Sequence, residues 1–500
     1  MQKIYVPQTQ HYLIQKLIEK LNKQKKMKKL ISLLILLTIT QTMQILINET
    51  EKVDNEKLEQ LFDIHYLGDI YSGYLKVDDE GTTEFYYLFY PSLKESLKKP
   101  VILWLNGGPG CSSIQGAFNE NGPFVFKAGT SEFELNKYSW TNFANMIYLE
   151  SPISVGFSYG SQVEQSDEST AKYNLKAMID FFNKFQDYRK LPFYIAGESF
   201  GGVYGPTLAK EIINYNDQQT IENRINLQGL AIGNGCTDPS ECTHDAWAFQ
   251  IHVFHQVGRH NFISEELYEE IRKEEDKCIK EKGKLEICKK ISKEVEEQIT
   301  GKDKNIKANQ YNIYGPCYTY TPEGSKRADR SLGMRNLTED ADIPACADIQ
   351  GLYHHLRLKE VRDLLHVKEQ SSEWEVCSKK FVNYKENPKG SYYLYEEIIK
   401  NQIRVLIYSG DVDAVVPVTG TMFWIDKLQQ ELSLITLKPW RSWYVPQIRE
   451  VDPNQIAGYV KDLNGLTFLT IRNAGHMVPL DKREEALIFM EKFIRNEYFP

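Results

Sequence analysis

From residue 71 onward the apolar residues fall in short runs that end in polar or glycine-rich stretches. "YSGYLKV", "TEFYYLFYP" and "PVILWLNGG" alternate or concentrate Val, Ile, Leu and Tyr between Gly or Pro boundaries, which predicts β-strands. "ANMIYLESP" and "PFYIAGES" are further runs that stop at polar loops, as strands buried in a parallel sheet do. Between these two, "ESTAKYNLKAMIDFFNKF" has helical spacing. "INLQGLAIGNG", "IRVLIYSGD" and "LTFLTIRNAGH" repeat the pattern of a strand followed by a polar, Gly-containing end. Strands alternating with helices predict an α/β fold with a mostly parallel central sheet and helices on both faces.

Residues 236–350 break this rhythm. "EELYEEIRKEEDKCIKEKGKLEICKKISKEVEEQITGKDKNIK" is charged, helix-prone and poor in strand signals, and its charges predict a solvated helix face. Because the strand pattern resumes at residue 404, the stretch reads as an inserted cap rather than a separate helical domain. The expected layout is a core formed by residues 55–235 and 351–500, interrupted by a cap at 236–350. No internal repeat is present, which argues against a solenoid or propeller.

A basic cluster, "KLNKQKKMKKL", runs into "LISLLILLTIT", residues 30–40. That apolar run is shorter than the roughly 20 residues needed to span a bilayer. A basic n-region before a short h-region is the pattern of a secretory signal peptide, so residues 1–48 are expected to be an extension plus signal, with Met27 its natural start. A signal anchor with a cytoplasmic tail is the other reading; either places most of the chain in a lumen or outside. After signal cleavage no stable membrane insertion is expected. The formal net charge of −8 over 500 residues is mild, which argues against a dedicated nucleic-acid surface. Eight cysteines suit an oxidising compartment, although they allow about 105 connectivities. No CxxC pair or His/Cys cluster suggests a metal, and nothing points to an organic cofactor. Asn48 and Asn336 each open an N-x-T sequon.

The candidate chemistry begins at "GESFG", a G-x-S-x-G elbow in which a strand turns sharply into a helix and exposes Ser199. Such a serine needs an acid and then a base later in the chain. "YSGDVDAVVP" offers Asp411 and Asp413 after one strand, and "RNAGHMVP" offers His476 after the next. Strand C-terminal ends are where an α/β sheet places its site. An oxyanion hole requires backbone N–H groups. One is expected from Phe200, which follows the nucleophile. The other is expected from the loop "LNGGPGCSS", where Gly107 and Gly108 can turn their amides inward.

Taken in order, "WLNGGPGCSS", "NENGPF", "SPISVGFSYG", "FYIAGESFGG", "YSGDVDAVVP" and "AGHMVP" resemble the serine carboxypeptidase family from about residue 60 to 498. The resemblance implies an α/β-hydrolase fold with a disulfide-containing cap. It also implies removal of C-terminal residues from peptides and proteins through an acyl-enzyme, without cofactor, by a monomer or homodimer in the lysosome, the vacuole or the outside medium. It assigns Ser199 as nucleophile, His476 as base and then acid, and Asp413 rather than Asp411 as the orienting acid. Gly108 and Phe200 supply the oxyanion amides, and Phe200 stands where the family usually has Tyr. Asn106, Glu120 and Glu198 form the family's carboxylate-recognition set. A protonated Glu can donate to a substrate carboxylate where no Arg or Lys is present. Two close, partly buried carboxyls hold a proton to higher pH than one does, which predicts activity in acid that falls toward neutrality.

The family pattern further implies the pairings Cys111–Cys377, Cys317–Cys346 and Cys278–Cys288, leaving Cys236 and Cys242 for a local loop. Ser154 occupies a usual glycine position, and Gly201 and Val203 replace common residues after the nucleophile. Gln115 and Asn119 stand where apolar or small side chains are frequent, which predicts a shift toward polar C-terminal residues. The same fold also supports an acyltransferase, or a non-catalytic protective partner of lysosomal proteins.

Overall fold

A ten-stranded sheet organises the chain in the computed structural model, which describes residues 50–126, 132–161, 165–238, 247–300, 308–316, 350–378, 384–445 and 454–499. The strands are β1 (Tyr71–Lys76), β2 (Glu84–Tyr90), β3 (Val101–Leu105), β4 (Phe124–Phe126), β5 (Phe133–Leu135), β6 (Asn145–Leu149), β7 (Phe193–Glu198), β8 (Leu227–Gly233), β9 (Arg404–Gly410), β10 (Thr436–Val445), β11 (Gln455–Leu463) and β12 (Leu466–Ile471). Their order is β1-β2-β6-β3-β7-β8-β9-β12-β11-β10, with β4 and β5 paired separately. From β6 to β12 every neighbouring pair is parallel. The flanks β1-β2-β6 and β12-β11-β10 are antiparallel.

Alternation along each central strand divides the interior into two layers. Val101, Leu103 and Leu105 of β3 and Phe193 and Ile195 of β7 face one layer. Helices α1 (Asp167–Lys184), α2 (Gly201–Asp217) and α6 (Val418–Glu431) cover it with residues such as Phe181, Leu208 and Trp424. Ile102, Trp104, Tyr194 and Ala196 face the other, where Phe489, Met490 and Phe493 of α8 (Arg483–Arg495) pack. Both faces carry helices, and the parallel-core α/β architecture is the one expected of an α/β hydrolase.

Between β8 and β9 lie α3 (Trp247–Arg259), α4 (Glu265–Lys280) and α5 (Glu286–Thr300), which share a core of Phe254, Leu267, Ile271, Ile291 and Val295. Cys278–Cys288 clips α4 to α5. Their outer faces carry ion pairs one turn apart, such as Arg272 with Glu269 and Lys289 with Glu286.

The antiparallel pair β10–β11 is absent from the sequence reading. Edge strand β10 is half-exposed, contains Pro439 and slips register against β11, so no clean alternation marks it. Among the described residues no helix is long and apolar enough to cross a membrane. The expected signal segment, both sequons (Asn48 and Asn336), and Cys242, Cys317 and Cys346 lie outside the described residues. Cys236 is disulfide-bonded.

Candidate active site

Strand β7 ends at Glu198 and helix α2 starts at Gly201, so the chain reverses its course within two residues. Ser199 carries φ 56° in the left-handed region, which costs a non-glycine residue about 1–2 kcal/mol. Neighbouring backbone holds it there. Its N–H donates to Gly233 O at 3.1 Å, and its carbonyl accepts from Gly202 and Cys236, both at 2.9 Å. The Gly-rich loop after β3 lies directly alongside. A Cβ on Gly107 would fall 2.4 Å from the Phe200 nitrogen and 2.6 Å from Ser199 Cβ, so a side chain there would fill the cradle beside that amide. Gly108, at φ 114°, has a backbone closed to most L-residues.

The sheet order sets the C-terminal ends of β7, β8, β9 and β12 side by side. Ser199 follows β7, Asn234 follows β8, Asp413 lies just past β9, and His476 lies just past β12. Asp413, with no exposed surface, accepts from His476 Nδ1 at 2.7 Å, from Asn234 Nδ2 at 2.7 Å, and from the Val415 and Val416 amides at 2.7 and 3.1 Å. A carboxylate can only accept, so this bond places the imidazole proton on Nδ1 and leaves Nε2 as a base. Asp411 is excluded from that partnership: its Oδ1 accepts from the Asn473 amide at 2.7 Å, fastening the loop before His476. Sequence reasoning missed Asn234, which also accepts from Gly410 N–H at 3.0 Å. Its one signal was the polar "GNG" at the end of β8.

Asn106, Glu120 and Glu198 come together beside the elbow. Asn106 Nδ2 donates to Glu120 Oε1 at 3.0 Å and to Glu198 Oε1 at 2.9 Å, while its own oxygen accepts from Trp104 Nε1 at 2.8 Å and the Gly116 amide at 3.2 Å. No Lys or Arg is among these partners. The second oxygen of each carboxyl is buried and meets no N–H or O–H donor, so the two carboxyls can be satisfied toward each other only through a proton. Burial pushes both above the ordinary carboxylate range, and the facing Glu120 holds Glu198 well above it.

The surrounding loops are tied by a further buried carboxyl. Glu150 accepts from Ser112 Oγ at 2.6 Å and from the Ile114 and Phe157 amides at 3.3 and 3.1 Å, and burial pushes it up to about 7. Cys111–Cys377 joins the Gly-rich loop to residues 376–378, where Ser378 N–H donates to Gly110 O at 2.9 Å. Ser154 sits at φ 70°, which accounts for the usual glycine there. Gln115 is buried and donates to Met477 Sδ at 3.1 Å, and Asn119 lies buried on the turn Gly116–Glu120. Gly201 opens α2 and Val203 is buried in its first turn. Among the described residues no group of His, Cys, Asp and Glu is placed to hold a metal.

The sequence profile of the serine carboxypeptidase family matches residues 64–496. This chain belongs to the serine carboxypeptidase family. The serine carboxypeptidase-like 20 protein of Arabidopsis thaliana is 34% identical over 473 residues, covering 85% of this chain and 89% of that one. The lysosomal protective protein of Mus musculus is 31% identical over 456 residues, covering 85% and 90%. A solved prohormone-processing carboxypeptidase from Saccharomyces cerevisiae superposes with a TM-score of 0.70 at 20% identity, covering 90% of this chain and 96% of that one, which supports the same fold for this serine carboxypeptidase.

Proposed function

We propose that this family member releases C-terminal residues from peptides and proteins in acid, through an acyl-enzyme on Ser199. The carrying observation is the Asn106–Glu120–Glu198 trio beside the elbow, a carboxyl pair built to keep a proton. A substrate carboxylate accepts hydrogen bonds only, so it is recognised by the protonated pair, which the two Asn106 N–H groups orient, and repelled by the ionised pair.

With the C-terminal carboxylate held there, the last peptide bond meets the elbow. Ser199 Oγ attacks the scissile carbonyl carbon as His476 Nε2 takes its proton. Asp413 keeps the imidazole in the required tautomer and stabilises the imidazolium. The amides of Gly108 and Phe200 face the developing oxyanion. The C–N bond then breaks, the leaving amine takes the proton from His476, and water hydrolyses the acyl ester by the same relay. The polar pair Gln115 and Asn119 favours polar C-terminal residues, to be read from dipeptides that vary only in the last position. The disulfides, together with a relative named for the lysosome, support a location in the secretory pathway.

The test pairs a fluorophosphonate label with a peptide panel. The parent should take one label and Ser199→Ala none, and peptide release in that variant should fall by a factor on the order of 10³ or more. Peptide release should be faster near about pH 5 than near about pH 8, as loss of the shared proton requires. Equal turnover at both would sink the proposed carboxyl-pair role.

A further inference from the structure

The stretch Asn309–Pro316 lies between β8 and β9 and belongs to neither the acid loop nor the base loop, yet it is bonded to both. Ile313 N–H donates to Val412 O at 3.0 Å and Ala414 N–H to Gln310 O at 2.9 Å, one on each side of Asp413. His476 N–H donates to Tyr311 O at 2.6 Å, and the Tyr311 ring meets the imidazole edge-on with centroids 5.2 Å apart. Approach is close enough that a Cβ on Gly475 would fall 2.0 Å from Tyr311 O.

One side-chain pair anchors this strap. Asn312 Nδ2 donates to Asp481 Oδ2 at 3.0 Å, and the same oxygen accepts from Gly475 N–H at 2.7 Å. Asp481 closes α7 (Val478–Asp481), the short helix that begins just after His476. Asn312 also holds the turn from within, because its oxygen accepts from Tyr314 N–H at 3.1 Å. Asn309 Oδ1 accepts from the Tyr311 and Asn312 amides at 3.0 and 3.2 Å. Strap, base loop and α7 therefore form a closed circuit through Asn312, Asp481 and Gly475. The Asp413 bond fixes one nitrogen of the imidazole but not the tilt of the ring or its distance from β7. The strap supplies those remaining restraints from outside the sheet.

We propose that Asn312 and Asp481 are positioning residues for His476, setting the imidazole against Ser199 through the strap Asn309–Ile313. The inference rests on the Ser199–Asp413–His476 reading above. Neither residue hydrogen-bonds to the substrate-carboxylate trio, and Asn312→Ala keeps the Asp481 charge that faces Glu120, so loss of the Asn312 anchor should slow acylation while leaving peptide binding in place. A misplacement on the order of 1 Å costs up to about a hundredfold in rate.

The experiment measures the second-order rate of fluorophosphonate labelling at acid pH, together with KM for a peptide and the melting temperature of each variant. The reagent carries no carboxylate, so its rate reports on the triad and ignores Glu120 and Glu198. Asn312→Ala and Asn312→Asp are expected to label between about tenfold and a hundredfold more slowly, with peptide KM within about twofold of the parent. Asn312→Asp sets two carboxyls against each other. The double variant Asn312→Asp/Asp481→Asn restores one donor and one acceptor with their direction reversed, and an oxygen still faces Gly475 N–H. It should recover to within about threefold of the parent, a coupling that a mere loss of stability would not produce. Parent-rate labelling in Asn312→Ala and Asn312→Asp, or a double variant no faster than Asn312→Asp alone, would overturn the inference while Ser199→Ala stays unlabelled. Labelling that persists in Ser199→Ala would remove the triad reading and this inference with it.

Discussion

Under the proposed function Glu198 sits between two requirements, since it must stay out of the way of an oxyanion and yet donate to a carboxylate. A glutamine at that position keeps an oxygen for Asn106 and an N–H for the substrate, but it has no proton to lose. Glu198→Gln is therefore expected to lose a few-fold in kcat/KM near about pH 5 and to retain a larger share of its activity toward about pH 8 than the parent does. Measuring kcat/KM from acid to mildly alkaline pH checks this, and superimposable profiles for parent and variant would remove the pair's titration as the cause. At the same scale, strand position alone left two aspartates for His476, and only the family resemblance favoured Asp413. Asp411 and Asp413 are two residues apart at the end of one strand. Only the fold shows Asp413 against Nδ1 and Asp411 against the Asn473 amide.

Among the elements, the Gly-rich loop after β3 depends on a distant fastening. Cys111–Cys377 closes a sequence separation of 266 residues, for which chain entropy gives a stabilisation of about 5 kcal/mol. The double substitution Cys111→Ser/Cys377→Ser should lower the melting temperature markedly and slow fluorophosphonate labelling, because only the backbone bonds to Val376 and Ser378 would then hold the loop. A variant with parent-like melting and labelling would show that those backbone bonds suffice. The central strands of this layer were legible because burial on both faces makes them continuous apolar runs. Strands β10 and β11 were not, because a half-exposed edge with Pro439 and register slips has no strict period.

Over the whole molecule, buried carboxyls set the response to pH. Burial raises Asp167 to about 6 and Glu150 to about 7, and holds Glu120 and Glu198 above their ordinary range. In the unfolded chain all four ionise near pH 4, so above that point the native state binds more protons than the unfolded one. Their contribution is fully present below about pH 4 and is lost as pH rises through about 6 and 7. Fully buried Glu150 alone accounts for about 3 kcal/mol of that loss. Denaturant midpoints should therefore be higher near about pH 5 than near about pH 7.5. A protein more resistant at the higher pH would contradict the assignment of these protons.

The sequence by itself determined the features that short stretches of backbone can encode. These were the elbow at Ser199, the glycine loop beside it, the order in which Ser199, Asp413 and His476 follow, and the parallel strands whose ends carry them. Each depends on local conformational limits, such as glycine's freedom at Gly107 and Gly108 or the apolar run of a buried strand. Tertiary structure alone decided other partnerships between distant segments: Asn234 on Asp413 across 179 residues, and the strap that joins Asn312 to Asp481 across 169. Those contacts have no local period or motif, because they arise from where the sheet order and the chain between β8 and β9 bring the ends of separate strands.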